Sequence, residues 1–200
     1  MLILGLTGNI GCGKSSLSNL FREQNIDVVD ADIISRQIFE DRELLHEVFD
    51  FFGDSIKNID KSLNRKALGD IVFNDDKMLL KLNSLTHPRI RDKIMDDIDK
   101  VRDLGKKIVV LDAALLIEGD YSNVVGKILV VTCDMNVQIQ RIKNRDNCTR
   151  DEALSRISSQ MNQIEKSRYG DYVIDNSGTL IELKNKAEEF IMYMKENWCD

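Results

Sequence analysis

The chain has 200 residues, of which 42% are hydrophobic and 31% are charged, enough to build one domain with a small insertion. Its formal net charge of −6 argues against general binding to nucleic acid or to acidic membranes. The sequence has no apolar run long enough to span a bilayer and no zinc-like cysteine spacing, and its apolar start lacks a basic segment, so we expect no signal peptide. We therefore expect a cytoplasmic protein with reduced thiols.

The chain begins with an apolar run at residues 2–6, followed by a glycine-rich loop. Residues 8–15 fit G-x-x-x-x-G-K-[ST], and the flanking patterns predict a strand before the loop and a helix after it. Such a loop points successive backbone N–H groups at a polyphosphate, and the helix N-terminus favours the same anion. Lys14 would reach the β- and γ-phosphates, and the Ser15 hydroxyl would ligate Mg²⁺. The residues predicted to bind the phosphates are Gly8, Gly11, Cys12, Gly13, Lys14, Ser15 and Ser16.

Four further short segments are rich in Val and Ile and do not alternate with polar residues, which is typical of buried parallel strands. Helical patterns separate them. This alternation predicts an open parallel sheet with helices on both faces and a ligand site at the carboxyl ends of the strands. The predicted strands after the first lie at 26–30, 107–112, 127–132 and 172–175.

The interval between the second and third strands is too long for one crossover helix. We predict a helical insertion at about 33–104, with Pro88 opening its last helix. The core sheet of this single domain would then comprise residues 1–32 and 105–200. A final amphipathic helix is predicted at 182–198.

Carboxylates end two of the predicted strands. Asp30 and Asp32 would share one face of the second strand, because alternate strand side chains point the same way. Asp32 is the candidate base toward an attacking hydroxyl, and capping of the next helix is the alternative. Asp112 ends the third strand and is a candidate magnesium-side carboxylate. No glutamate follows Asp112 directly, which argues against an ATPase that transfers the phosphoryl group to water.

Residues 141–168 carry an excess of basic side chains within an acidic chain and predict a helical lid. Arg141 and Arg145 are four residues apart and would share one helix face. There they would neutralise charge on a transferred phosphoryl group. The alternative is an ordinary solvated basic helix face.

These features together favour a small-molecule kinase. A GTPase is disfavoured because a guanine-reading N-K-x-D motif is missing. A small-molecule kinase needs a phosphate loop, a base near the second strand, acceptor-binding helices and an arginine lid, and all four occur in that order. Two alternatives stay open: a kinase acting on another nucleoside or small alcohol, and a non-catalytic nucleotide-binding switch.

Six segments spread over nearly the whole chain resemble the dephospho-CoA kinase family. They are residues 6–16, 28–32, 85–91, 115–118, 140–146 with Gln160, and 171–176. The resemblance implies transfer of the γ-phosphate of MgATP to the ribose 3′-hydroxyl of dephospho-CoA, the last step of coenzyme A synthesis. It also implies a P-loop kinase fold with a five-stranded parallel sheet in the order 2-3-1-4-5.

The resemblance also implies residue roles. Asp32 would be the catalytic base, Arg141 or Arg145 would lie in the lid over ATP, and Asn176 would lie near the adenine. The residues implied at the acceptor are Asp32, His87, Arg91, Leu115 and Glu118.

The sequence departs from the family pattern at four positions. Asn9 stands where the family often has Gly, Ser16 where Thr is usual, and Ala114 where Pro is frequent. Cys12 stands where the family often has Ser, and we expect Lys14 and the helix end to raise the reactivity of its thiol. None of the four changes removes a group that the chemistry needs.

Overall fold

The computed structural model describes residues 1–119 and 121–199. The strands are Leu2–Gly8 (β1), Asp27–Asp30 (β2), Ile108–Asp112 (β3), Lys127–Thr132 (β4) and Tyr172–Asp175 (β5). The helices are Lys14–Glu23 (α1), Ala31–Gln37 (α2), Arg42–Phe52 (α3), Arg65–Asn74 (α4), Asp76–Asp103 (α5), Met135–Asp146 (α6), Arg150–Ser158 (α7), Gln163–Ser167 (α8) and Leu180–Asn197 (α9). Within these described ranges, no helix is long and apolar enough to cross a membrane.

The strands form one parallel sheet in the order β2-β3-β1-β4-β5. This order and the helices on both faces are the arrangement that the family resemblance implied. The register places Asp112 opposite both Leu6 and Asp30, so three strands end at the same edge. That edge is where an open parallel sheet binds its ligand.

The chain divides into two compact units, residues 1–30 with 100–200, and residues 31–99. In the first unit, α1 and α9 pack on the central strands, with Phe21 against Phe190 at a ring-centroid distance of 6.2 Å. In the second unit, α3 and α4 contribute a separate apolar cluster that includes Leu44, Val48 and Leu68. The central strands are buried on both faces, which explains why their sequences do not alternate.

The prediction that Pro88 opens a helix is wrong, because Pro88 lies inside α5. Thr86, Ile90, Ile94 and Ile98 are buried at helical spacing on both sides of the proline. A proline removes one N–H donor from the helix ladder. The continuous buried stripe holds the helix together across that missing hydrogen bond.

Candidate active site

The glycine-rich loop joins the end of β1 to the start of α1, at the carboxyl edge of the sheet. Gly11 and Gly13 have positive φ angles of 80° and 92°, a backbone conformation that residues other than glycine rarely adopt. A Cβ added at Gly13 would also overlap the Asn176 side-chain amide. The turn therefore requires glycine here and directs the N-terminus of α1 toward the loop, as a phosphate site needs.

Lys14, in the first turn of α1, forms an ion pair with Asp112 at the end of β3. Asp112 is 1% exposed, and its second oxygen accepts a hydrogen bond from the Ser18 hydroxyl. Burial raises the pKa of Asp112, while the Lys14 ammonium and the two hydrogen bonds act against that rise. The pair holds the lysine beside the loop, and the Ser15 side chain next to it is exposed.

Asn176 and Arg141 brace the loop from its other side. The Asn176 side-chain Nδ2 donates to the Cys12 carbonyl at 2.8 Å. Arg141 donates to the backbone carbonyls of Asn176 at 2.8 Å and Gly178 at 3.3 Å. The structure therefore places Asn176 against the phosphate loop itself, with its side-chain amide already engaged there.

The two candidate lid arginines have different surroundings. The Arg141 guanidinium lies next to the phosphate loop, since a Cβ added to Gly13 would be 3.8 Å from one of its nitrogens. Arg145 instead donates to both carboxylate oxygens of Asp146, at 2.7 and 3.0 Å, and Arg156 pairs with the same carboxylate. Only Arg141 of the two is brought to the loop.

The expectation that the Cys12 thiol is unusually reactive is wrong. The side chain is fully buried, with Sγ 3.5 Å from the Cys133 Sγ and 3.0 Å from the Gln163 side-chain oxygen. The hydrogen bond with Cys133, followed by burial, raises the pKa of Cys12 far above its usual range. The thiol packs into the core, so Lys14 and the helix end do not activate it.

Three glutamines hold the loop, and sequence reasoning assigned none of them this role. Gln160 accepts from the Ile10 N–H at 2.8 Å, and Gln138 donates to the Ile10 carbonyl at 2.7 Å. Gln163 accepts from the Cys133 N–H and donates to the Cys133 carbonyl, both at 2.9 Å. Gln160 was among the residues that carry the family resemblance, whereas no charge or spacing pattern marks the other two.

The prediction that Asp32 lies on a strand face with Asp30 is wrong. The strand β2 ends at Asp30, and Asp32 lies in the first turn of α2. It is therefore a residue of the helix and not the residue that precedes it. A carboxylate in the first turn is favoured by the helix dipole, which the strand pattern of the sequence did not reveal.

The remaining acceptor candidates lie on α5 and on the segment after β3. His87 and Arg91 are exposed on α5, and their spacing of four places them on one helix face. In the other unit, Leu115 is 49% exposed and Glu118 pairs with Lys166 at 2.9 Å. Lys166 was not singled out from the sequence as a functional residue.

Comparison with known proteins identifies the family. A family model described as Dephospho-CoA kinase matches residues 2–182. A Dephospho-CoA kinase from Lactobacillus acidophilus is 41% identical over 197 residues, covering 97% of this chain and 98% of its own. Among solved structures, a Thermus thermophilus protein superposes with a TM-score of 0.83 at 28% identity, covering 96% of this chain and 97% of its own. The dephospho-CoA kinase from Campylobacter jejuni superposes with a TM-score of 0.74 at 27% identity, covering 97% of each chain. The chain therefore belongs to the dephospho-CoA kinase family.

Proposed function

We propose that this site transfers the γ-phosphoryl group of MgATP to the ribose 3′-hydroxyl of dephospho-CoA. As a member of its family, the chain is an ATP-dependent kinase that phosphorylates dephospho-CoA in coenzyme A synthesis. The observation that carries the proposal is the phosphate loop at the sheet edge, with Lys14 held beside it by Asp112. The cytoplasmic location and the absence of nucleic-acid and membrane partners stay predictions.

The donor half of the mechanism rests on the loop and on α1. We assign the phosphates to the backbone between Gly11 and Ser16 and to the ammonium of Lys14. The ion pair with Asp112 keeps that ammonium beside the loop. Asn176 braces the Cys12 carbonyl, so we assign it a role in holding the loop. Its position near the adenine, which the family resemblance implies, stays a prediction.

The residues present fit a magnesium ion carried by the nucleotide. Among the described residues, no group of three or more His, Cys, Asp or Glu side chains forms a metal cage. Mg²⁺ in phosphoryl-transfer sites usually takes only one or two protein oxygens, with water and phosphate oxygens as its other ligands. The exposed Ser15 hydroxyl would hold the magnesium ion, which would supply positive charge to the phosphates during transfer.

For the acceptor half, we assign Asp32 as the base that orients and deprotonates the 3′-hydroxyl. His87, Arg91, Leu115 and Glu118 are assigned to binding of dephospho-CoA. These assignments rest on the family resemblance together with the exposed positions of His87 and Arg91. Of the two lid arginines, Arg141 is the better candidate to neutralise the transition state, because Arg145 is paired with Asp146.

The substitution Asp32→Asn tests the assignment of the base. We expect turnover to fall by about 10²–10⁴-fold, the usual contribution of a general base, while ATP still raises the melting temperature. Asp54→Asn is the matched control, since Asp54 is an exposed carboxylate that pairs with Lys57 in the same unit. Near-normal turnover in Asp32→Asn would remove Asp32 from the base role.

A further inference from the structure

Lys166 is a lysine with no exposed surface, located on the five-residue helix α8. Lysines are almost never fully buried unless their charge is paired and hydrogen-bonded. The Lys166 ammonium donates to the Ala114 carbonyl and forms an ion pair with the Glu118 carboxylate, both at 2.9 Å. Both partners lie in the segment after β3 that also contains Leu115, so the buried charge acts on that one segment.

The segment that Lys166 holds is also anchored to β1. The Thr7 hydroxyl donates to the same Ala114 carbonyl at 3.1 Å, and the Ala113 N–H donates to the Leu6 carbonyl at 3.0 Å. Leu116 is fully buried, whereas Leu115 is 49% exposed. The anchored backbone therefore presents the Leu115 side chain to solvent from a fixed base.

The helix that carries Lys166 is itself fixed to the phosphate-loop side of the unit. Gln163, at the start of α8, exchanges two hydrogen bonds with the backbone of Cys133 and accepts from the Cys12 thiol. Just before α8, the Met161 carbonyl accepts from the Asn9 side chain at 2.7 Å. Lys166 thus reaches the segment after β3 from a helix anchored beside the donor site.

We infer that Lys166 is a positioning residue for the acceptor. It fixes the Glu118 carboxylate and the Ala114 carbonyl, so that Leu115 and Glu118 present a preformed wall to dephospho-CoA. Lys166 has no direct contact with either substrate in this arrangement. The inference rests on the proposed function, because it takes Leu115 and Glu118 as acceptor-binding residues.

The test is Lys166→Met, which removes the ammonium and keeps an unbranched chain. Losing a charge-assisted hydrogen bond predicts a rise of about tenfold or more in the KM for dephospho-CoA, with the KM for ATP within about twofold. Lys127→Met is the matched control, because Lys127 pairs with Asp171 at 2.7 Å in the same unit and is half-exposed. It should change neither KM.

A purely structural role for Lys166 makes a different prediction. The melting temperature would fall, but both KM values, measured on the folded fraction, would match those of Lys127→Met, and that result overturns the inference. Glu118→Gln supplies the coupling test. If Lys166 acts through Glu118, the effect of Lys166→Met on the KM for dephospho-CoA shrinks when Glu118→Gln is already present.

Two further outcomes are decisive. If Lys166→Met does not fold, the test passes to Glu118→Gln alone, which should raise the KM for dephospho-CoA and leave the KM for ATP unchanged. An unchanged KM for dephospho-CoA in Glu118→Gln overturns the inference. Wild-type turnover of dephospho-CoA separates this inference from the proposed function. If the wild type turns over dephospho-CoA while Lys166→Met behaves like Lys127→Met, only the positioning role of Lys166 fails.

Discussion

The substitution Gly13→Ala tests whether the phosphate loop is held by direct packing of Asn176 against it. Gly13 has φ 92° and ψ 22°, a left-handed conformation that costs an L-residue about 1–2 kcal/mol. The new methyl group would also displace the buried Asn176 amide from the Cys12 carbonyl. Losing the partner of a buried polar group costs about 1–3 kcal/mol more. The sum is a loss of about 2–5 kcal/mol in the free energy of unfolding.

The control is Gly105→Ala in the same unit. Gly105 also has a positive φ, of 71°, but a Cβ there would meet no heavy atom within 4 Å. It should lose only the conformational part, about 1–2 kcal/mol. Urea unfolding followed by circular dichroism measures both variants, and ATP titration should show weakened binding for Gly13→Ala alone.

An Asn176→Ala background completes the test. With the amide already removed, Gly13→Ala should cost only the left-handed strain, so the two substitutions should be clearly non-additive. Equal losses for Gly13→Ala and Gly105→Ala in the wild-type background would show that packing of Asn176 against Gly13 does not hold the loop. So would a Gly13→Ala loss that is unchanged when Asn176 is alanine.

Three further predictions follow from the site. Arg141→Met should lower kcat by about 10²-fold or more, because Arg141 lies next to the phosphate loop. Arg145→Met should lower kcat by about threefold or less, because the Arg145 guanidinium is paired with Asp146. Equal losses in kcat would contradict this difference. Cys12 is buried and its pKa is raised, whereas Cys148 is half-buried. An aromatic disulfide reagent at pH 8 should therefore label Cys148 well before Cys12 in the native protein, and rapid labelling of Cys12 would contradict the raised pKa. Burial raises the pKa of Asp112, so this carboxylate takes up a proton at a higher pH in the folded than in the unfolded chain. The stability of the wild type relative to Asp112→Asn should therefore rise as the pH falls toward the usual pKa of an aspartate, and a falling difference in urea unfolding would be inconsistent with that shift.

Elements whose structure depends on local sequence could be predicted well. The loop at residues 8–15 follows a strand and opens a helix as its motif requires, and the apolar runs at 127–132 and 172–175 are strands with the predicted bounds. Burial on both faces of a parallel sheet imposes a continuous apolar run, so the pattern is readable without tertiary information. The strand order, by contrast, was implied by the family resemblance and not by the runs themselves.

Elements set by tertiary contacts could not be predicted. Pro88 carries a strong local signal for a helix start, but the buried stripe from Thr86 to Ile98 overrides it. The thiol of Cys12 lies in the phosphate loop next to Lys14. Its pKa is nevertheless raised, first of all by the hydrogen bond with Cys133, which is distant in sequence.

Polar side chains that work through backbone carbonyls were also missed. Gln163 and Lys166 act on Cys133 and Ala114, contacts that no composition or spacing rule encodes. The sequence of residues 141–168 drew attention to its arginines, since charge is visible in the sequence. The fully buried lysine in the same segment is distinguished only by the structure.

The central claim is that this chain phosphorylates the 3′-hydroxyl of dephospho-CoA. The most direct measurement is ADP release from MgATP with and without dephospho-CoA, with the position of phosphate in the product determined by NMR. We expect strong stimulation by dephospho-CoA and a product phosphorylated on the ribose 3′-oxygen. ATP binding without acceptor-dependent ADP release, or phosphate at another oxygen, would contradict it.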